Sequence, residues 1–454
     1  MPDGFDPNDI DRFVFDGFQF DETRFTASLR YRFDDCHHFE ERLDFPPPAT
    51  PLNPPRRAAL HHALRLLHLF AGISYYKAAI PRRIVVAGDP LDRDTASLVE
   101  TLYRHGLGEF AYRNGIRLHD RIHFPNDPDT VAASAIALCP GQGPLVPVGG
   151  GKDSVVSIET LRRGDEPVTL FSVGRAEPIR ATVAAAGLPW LSVRRQLSPA
   201  LFELNRQGAF NGHVPVTAIV SMIAICTAIL HGHDAVVLSN ERSASDGNLT
   251  LDDGFVVNHQ YSKGLAFEKA LSSHLRQHVA TDLDYFSLLR PWSELAIARQ
   301  FSRHRQYHPV FTSCNANFRI DPAAPPRRWC LDCPKCRFVF LVLAPFVEKE
   351  KMVAIFGANL LADDDQRDGF SALLGVAAHK PFECVGEEAE SAAALILLSR
   401  QPKWRDDAIV AWFRREILPT IDDPDSLPER YLSAATTSNL PEKYRELAHA
   451  AFGA

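Results

Sequence analysis

The chain has 454 residues, with 56 acidic against 49 basic side chains and a formal net charge of −7; 45% of residues are apolar and 23% charged. This profile excludes a disordered chain, a collagen-like fibre and a disulfide-stapled miniprotein, and the length calls for two or three domains. The mild acidity argues against a general nucleic-acid binder, which needs a basic field.

The opening residues MPDGFDPNDIDRF carry acids and a proline where a signal peptide needs a basic start and an apolar core. A soluble, cytoplasmic protein is therefore expected. Phe13, Phe15, Phe18 and Phe20, then Leu29, Tyr31 and Phe33, alternate on either side of Asp21-Glu22-Thr23, which predicts an antiparallel hairpin with one buried face. The proline-rich stretch 45–55 is a connector. Leu60, Leu64, Leu67, Phe70 and Ile73 predict a helix over 57–78; a strand over 83–86 and a helix over 94–112 follow. Residues 1–140 thus read as an α+β domain with nothing in it that reads as chemistry.

From 141 to 310 short apolar runs alternate with helices. Strands are expected at 145–148, 168–173, 191–193 and 235–238, and helices at 154–163, 177–186 and 214–231. This predicts an α/β domain, a parallel sheet with helices on both faces, whose ligands sit at the carboxyl ends of the strands. Val214–Leu230 is the longest uncharged stretch, but Pro215, Thr217, Ser221 and Thr227 mark it as a core helix and not a membrane span. A cysteine-rich segment at 311–345 and a mainly helical region at 346–454 complete the chain.

The strongest local motif is PLVPVGGGKDSVVSIETL (144–161). A buried strand runs into Gly149-Gly150-Gly151, then Lys152, Asp153 and Ser154, then a helix. The glycines let backbone N–H groups approach an anion closely, and the helix adds its positive dipole end. Lys152 offers charge and Ser154 a hydroxyl, so the segment is a phosphate cradle. Asp153 stands where a Walker A loop requires Ser or Thr, and the third glycine of the dinucleotide fingerprint is missing. The loop resembles the pyrophosphate loop Ser-Gly-Gly-x-Asp-Ser of the N-type ATP pyrophosphatases, matched by Gly150, Gly151, Asp153 and Ser154, with Gly149 in place of the first serine. That likeness implies cleavage of ATP between its α and β phosphates.

Cys314, Cys330, Cys333 and Cys336 form a second constellation. Two successive Cys-x-x-Cys steps and one distant cysteine can wrap a tetrahedral ion, and a reducing compartment favours ligation over disulfides. Four thiolates suit a closed structural Zn2+ site, with an iron–sulfur cluster or metal-free thiols as the alternatives. A nucleic-acid zinc ribbon fits poorly with the overall acidity, although Arg327, Arg328 and Lys335 are nearby.

Polar segments lie between these motifs: 205–213, 239–248, 258–263 and 285–294. The second follows the strand at 235–238, which places Asn240, Glu241 and Arg242 at its carboxyl end beside the glycine loop. His213 and His259 are either functional or satisfied structural histidines. Cys384, in KPFECVGE (380–387), is outside the metal spacing and is either a core thiol or a reactive one.

Taken in order, VPVGGGKDS, NGHVPVTAI, SNERSAS, VNHQYSK, YFSLLRP, SCNANF, RWC-x-x-CPKC and KPFECVGE resemble the UDP-N-acetyl-α-muramoyl-L-alanyl-L-glutamate epimerase family (MurL). The likeness runs from about Phe13 to Ser391. It implies an ATP- and Mg2+-dependent conversion of the terminal L-glutamate of a UDP-N-acetylmuramoyl dipeptide to D-glutamate, with release of AMP and pyrophosphate, in peptidoglycan synthesis. It implies no nucleic-acid partner and no membrane insertion, and leaves the oligomeric state open. A proton α to a carboxylate is very hard to remove, and adenylation removes the charge that makes it so. Such a reaction needs a pyrophosphate cradle, a charge clamp and acid/base groups. Residues 149–154 are the expected cradle, and Asn240, Arg242 and Arg290 the expected substrate contacts. Glu241, His259, Lys263, Glu383 and Cys384 are the catalytic candidates, Lys263 doubling as a clamp; a thiol pair is the precedent in cofactor-independent racemases. One competing reading is a 7-cyano-7-deazaguanine synthase-like ligase, but such enzymes are shorter and lack a counterpart of residues 1–140. The other, a nucleotide-sensing zinc protein, leaves SNERSAS and NHQYSK unexplained.

Overall fold

The computed structural model describes residues 4–118, 120–318, 328–376 and 382–453; Arg327 and the first two residues of KPFECVGE lie outside them. The amino-terminal strands are β1 (Arg12–Asp21), β2 (Thr26–Phe33), β3 (His37–Asp44) and β4 (Arg83–Val86). The next are β5 (Pro144–Pro147), β6 (Thr169–Val173), β7 (Trp190–Gln196) and β8 (Ala235–Leu238). A small ribbon of β9 (Leu249–Thr250) and β10 (Val256–Val257) precedes β11 (Asp284–Ser287).

Nine strands form one sheet in the order β11-β8-β5-β6-β7-β3-β2-β1-β4. From β11 to β7 all pairs are parallel. The chain winds outward from β5 through β6 to β7, then returns to add β8 and β11 on the other side. The reversal between β5 and β8 is the topological switch point, where ligands of such sheets bind. The amino-terminal hairpin extends this same sheet, because β3 pairs antiparallel with β7. The sheet therefore crosses the junction expected at residue 140.

Successive side chains point to opposite faces, and both faces are buried. Leu145, Phe171, Val236 and Tyr285 enter one core with the helices Pro54–Ala71, Arg93–Gly106 and Val216–His231. Val146, Leu170, Val237 and Phe286 enter a second core with the carboxyl-terminal helices. Burial on both sides explains why these strands are continuous apolar runs. Among the described residues no helix is long and apolar enough to cross a membrane.

Several elements differ from expectation. The first long helix ends at Ala71 and resumes over Ile73–Tyr76; a Cβ on Gly72 would lie 2.4 Å from the Phe15 ring, so the glycine lets the helix meet the sheet. The helix expected over 94–112 is two, Arg93–Gly106 and Gly108–Asn114, turning at Leu107. Strand β3 shows little apolar alternation because one inward position is Glu41, buried and paired with Arg195 at 2.7 Å. Strand β11 and the helices Pro199–Gln207 and Leu265–His278 lie where polar segments or no element had been expected.

Candidate active site

The glycine loop leaves β5 at the switch point. Gly150 has φ +85°, and a Cβ there would lie 2.8 Å from Pro178 Cβ. Its carbonyl accepts from the Thr312 N–H at 2.9 Å. Gly151 (φ −89°) opens the helix Lys152–Leu161 with no side-chain cap, and Ser154 Oγ donates to its carbonyl at 3.2 Å. Lys152 does not stand free in the cradle. It is 2% exposed and its ammonium pairs with Asp153 and Glu294. Burial disfavours that charge, but the two carboxylates more than offset it and raise the lysine pKa. Lys152 thus holds Asp153, the more exposed group, at the loop's edge.

The carboxyl end of β8 lies beside this loop, as the sequence indicated: Ser239 Oγ donates to Ser157 Oγ on the loop's helix at 2.7 Å. Asn240 is pinned to Ser287 Oγ at 3.0 Å, and Glu241 is buried. Arg242 lies over the Tyr431 ring, 5.1 Å from its centroid, and 3.9 Å from Glu387. Arg290 was expected to contact substrate, but the structure turns it inward. At 2% exposure it pairs with buried Glu268 at 2.8 Å and donates to the Glu241 and Lys263 carbonyls at 2.6 and 2.5 Å. It braces the two polar loops against the helix Leu265–His278 and β11, where it also donates to Ser287 Oγ at 3.3 Å.

Those loops are joined by the β9–β10 ribbon and by side chains: Asn248 Oδ1 accepts from the His259 N–H at 2.9 Å, and Asn258 Nδ2 donates to the Ala244 carbonyl at 3.2 Å. The result brings three candidates together. Lys263 Nζ lies 3.1 Å from Cys384 Sγ, and the His259 ring also hydrogen-bonds that sulfur. The other side of His259, Nδ1, meets a Glu109 carboxylate oxygen. Glu109 is bound by Arg113 at 2.6 Å, and the His213 ring lies 4.3 Å from that of His259. Burial alone would raise the Cys384 thiol, but the positive charges of Lys263, Lys335 and His259 bring it down to about 6. Burial alone would lower His259, but its bonds to Cys384 and Glu109 lift it to about 9. Burial and the neighbouring His259 push His213 down to about 4. The charges around Cys384 thus favour its thiolate form. Glu383 is turned toward Asn315 of SCNANF instead.

Glu109 is the residue that the sequence did not reveal, since residues 1–140 had offered no chemistry. Its signal is faint, a single acid just beyond the break between two helices. Cys36 and Cys139 are exposed, Cys226 is buried in its helix, and four thiols are clustered elsewhere, so among the described residues Cys384 is the one thiol beside Lys263 and His259.

The four clustered sulfurs, of Cys314, Cys330, Cys333 and Cys336, lie within 4.8 Å of one another. Two of the separations are 3.5 and 3.7 Å, close to the edge of about 3.8 Å that a tetrahedron of metal–sulfur bonds near 2.3 Å would have. The N–H groups of Cys333 and Cys336 donate to the sulfurs of Cys330 and Cys333, both at 3.4 Å. The set can therefore hold a metal ion. It is joined to the cradle, because Thr312 binds Gly150 and its hydroxyl accepts from the Cys314 N–H at 3.1 Å.

Two family models match the chain, the MurL N-terminal domain over residues 4–288 and the MurL C-terminal domain over residues 310–426. The chain is 47% identical over 452 residues to a Xanthomonas oryzae protein named UDP-N-acetyl-alpha-D-muramoyl-L-alanyl-L-glutamate epimerase, covering 99% of each. It is 46% identical to a Salinispora tropica protein of the same name, over 94% of this chain and 92% of the relative. A Micromonospora protein so named is 47% identical over 95% and 94%. With two matched models spanning most of its length and full-length relatives near half identity, the chain belongs to the MurL family.

Proposed function

We propose that the protein epimerises the terminal glutamate of UDP-N-acetylmuramoyl-L-alanyl-L-glutamate in the cytoplasm, consuming ATP with Mg2+ and releasing AMP and pyrophosphate. The observation that carries this reading is the Cys384 thiol, 3.1 Å from Lys263 Nζ. The same lysine also feels the charges of Asp153 in the cradle and Glu241 after β8. Phosphate handling and proton transfer thus share one site.

The N-type ATP pyrophosphatase fold is part of the proposal, supported by the switch-point position of the Gly149–Ser154 loop. Backbone amides at the head of the helix receive the phosphates, and Mg2+ bound with them would offset their charge. The glutamate carboxylate attacks the α phosphorus, pyrophosphate leaves, and an acyl-adenylate forms. With its carboxylate charge gone, the α-carbon becomes a feasible acid. The Cys384 thiolate takes that proton, while Lys263 and the His259 cation offset the charge that develops. Glu241 is the candidate for returning a proton to the opposite face. Water then cleaves the acyl–phosphate bond to give AMP and the inverted carboxylate. Zn2+ held by the four cysteines would be structural, because four thiolates leave no open position.

The test is incubation with ATP, Mg2+ and the UDP-muramoyl dipeptide in deuterated water. AMP and deuterium at the glutamate α-carbon are expected, and Asp153→Ala should abolish AMP formation. Formation of ADP, or product without α-deuterium, would overturn the reading.

A further inference from the structure

We infer that the amino-terminal helix Gly108–Asn114 supplies a positioning residue for proton transfer: Glu109, braced by Arg113, fixes His259 against Cys384. The inference rests on the reading above that Cys384 moves the proton.

The geometry is a relay of carboxylate, imidazole and thiol contributed by three distant parts of the chain. Glu109 is buried, with one oxygen on Arg113 Nε at 2.6 Å and the other on His259 Nδ1. That bond fixes which ring nitrogen faces the sulfur, since Nδ1 is committed to the carboxylate. The same helix grips the Cys384 segment. The Arg113 guanidinium lies 5.2 Å from the Phe382 ring centroid, and the Tyr112 ring is 5.7 Å from it. One short helix therefore sets both partners, His259 through Glu109 and the Cys384 backbone through Phe382.

The charged neighbours agree. His259 faces Glu109, His213 and Cys384; Cys384 faces Lys263, Lys335 and His259. Lys263 in turn feels Glu241 and Asp153. Glu109 is the negative group on the far side of His259 from the thiolate. Without it the imidazolium has one anionic partner fewer, and its ring is no longer held.

The measurement is the pH dependence of Cys384 alkylation by iodoacetamide in the full-length protein, read by peptide mass spectrometry. For Glu109→Gln the midpoint should rise by about one pH unit, with roughly fivefold slower alkylation at the wild-type midpoint. In the epimerase assay kcat for α-deuterium exchange should fall at least about tenfold with KM little changed, and Glu109→Asp should restore most of it. Should Glu109→Gln fail to fold, Arg113→Gln, at a half-exposed position, should shift the alkylation midpoint in the same direction by less. An unshifted midpoint in a folded variant would overturn the inference. So would a second bound metal equivalent, lost in Glu109→Gln, which would make Glu109, His213 and His259 a cation site. Alkylation that shifts as expected in a protein without epimerase activity would instead defeat the functional reading and leave the relay standing.

Discussion

Replacing the three loop glycines one at a time by alanine should give three different results. At Gly150 the backbone is left-handed, φ +85°, which costs an L-residue about 1–2 kcal/mol. A methyl there would also lie 2.8 Å from Pro178 Cβ and 2.9 Å from Pro178 C; neither is the end of a flexible chain, so overpacking adds about 1–3 kcal/mol. The expected loss is about 2–5 kcal/mol, a large share of the stability of an ordinary domain. Gly151 has an extended backbone, φ −89° and ψ 172°. Its added methyl would meet Ser313 Oγ at 3.0 Å, a hydroxyl that can rotate away, so the loss should stay below about 1 kcal/mol. A methyl on Gly149 meets nothing within 4 Å, and that variant should be neutral or gain up to about 1 kcal/mol from a less flexible unfolded chain. Urea unfolding measures the three values, and AMP formation shows whether the cradle survives. A Gly150→Ala protein within about 0.5 kcal/mol of the parent, or a Gly149→Ala protein as unstable as Gly150→Ala, would refute this account of the loop.

Other substitutions test the site's supports. Arg290→Leu strands buried Glu268 without its cation and should cost about 3–5 kcal/mol in urea unfolding, much of it recovered in the double variant Arg290→Leu with Glu268→Leu. Stripping metal with a chelator should lower the melting temperature and weaken ATP binding together, since Thr312 ties the cysteine cluster to Gly150; melting that ignores the chelator would refute the structural role. Burial pushes the Glu390 carboxyl up to about 7. A raised carboxyl contributes stability that is full below its unfolded pKa near 4.5 and is lost as pH rises through 7, about 3 kcal/mol in all. Glu390→Gln, which keeps an acceptor for the Leu295 N–H, should therefore flatten the pH dependence of unfolding between those values.

What the sequence revealed and what it concealed divide along physical lines. The strand into Gly149–Gly151 and the polar turn after β8 are local patterns, and a parallel winding rule suffices to place them side by side. The cysteine spacing is likewise local, apart from Cys314. The relay at Cys384 is not: Glu109, His259 and Cys384 lie on three segments, and only tertiary packing brings them together. The charge on Arg290 suggested a ligand, but its partner Glu268 lies 22 residues away and Leu265–His278 had not been read as a helix. Strand β3 was hidden for a related reason. Its inward Glu41 breaks the apolar alternation, and the compensating Arg195 sits on another strand.

The docking of Phe382 on Arg113 and Tyr112 also bears on when a growing chain becomes competent. The cradle, Lys263 and His259 have all been synthesised by residue 263, but the thiol arrives more than a hundred residues later, on a segment that grips a helix made near the start. Under the proposed function, a chain ending before Cys384 would carry its phosphate loop and its partners Glu294 and Thr312 and still lack the thiol proposed to move the proton. Closing the helix Gly108–Asn114 against one of the fold's late segments is, under the proposed function, the event that completes the site.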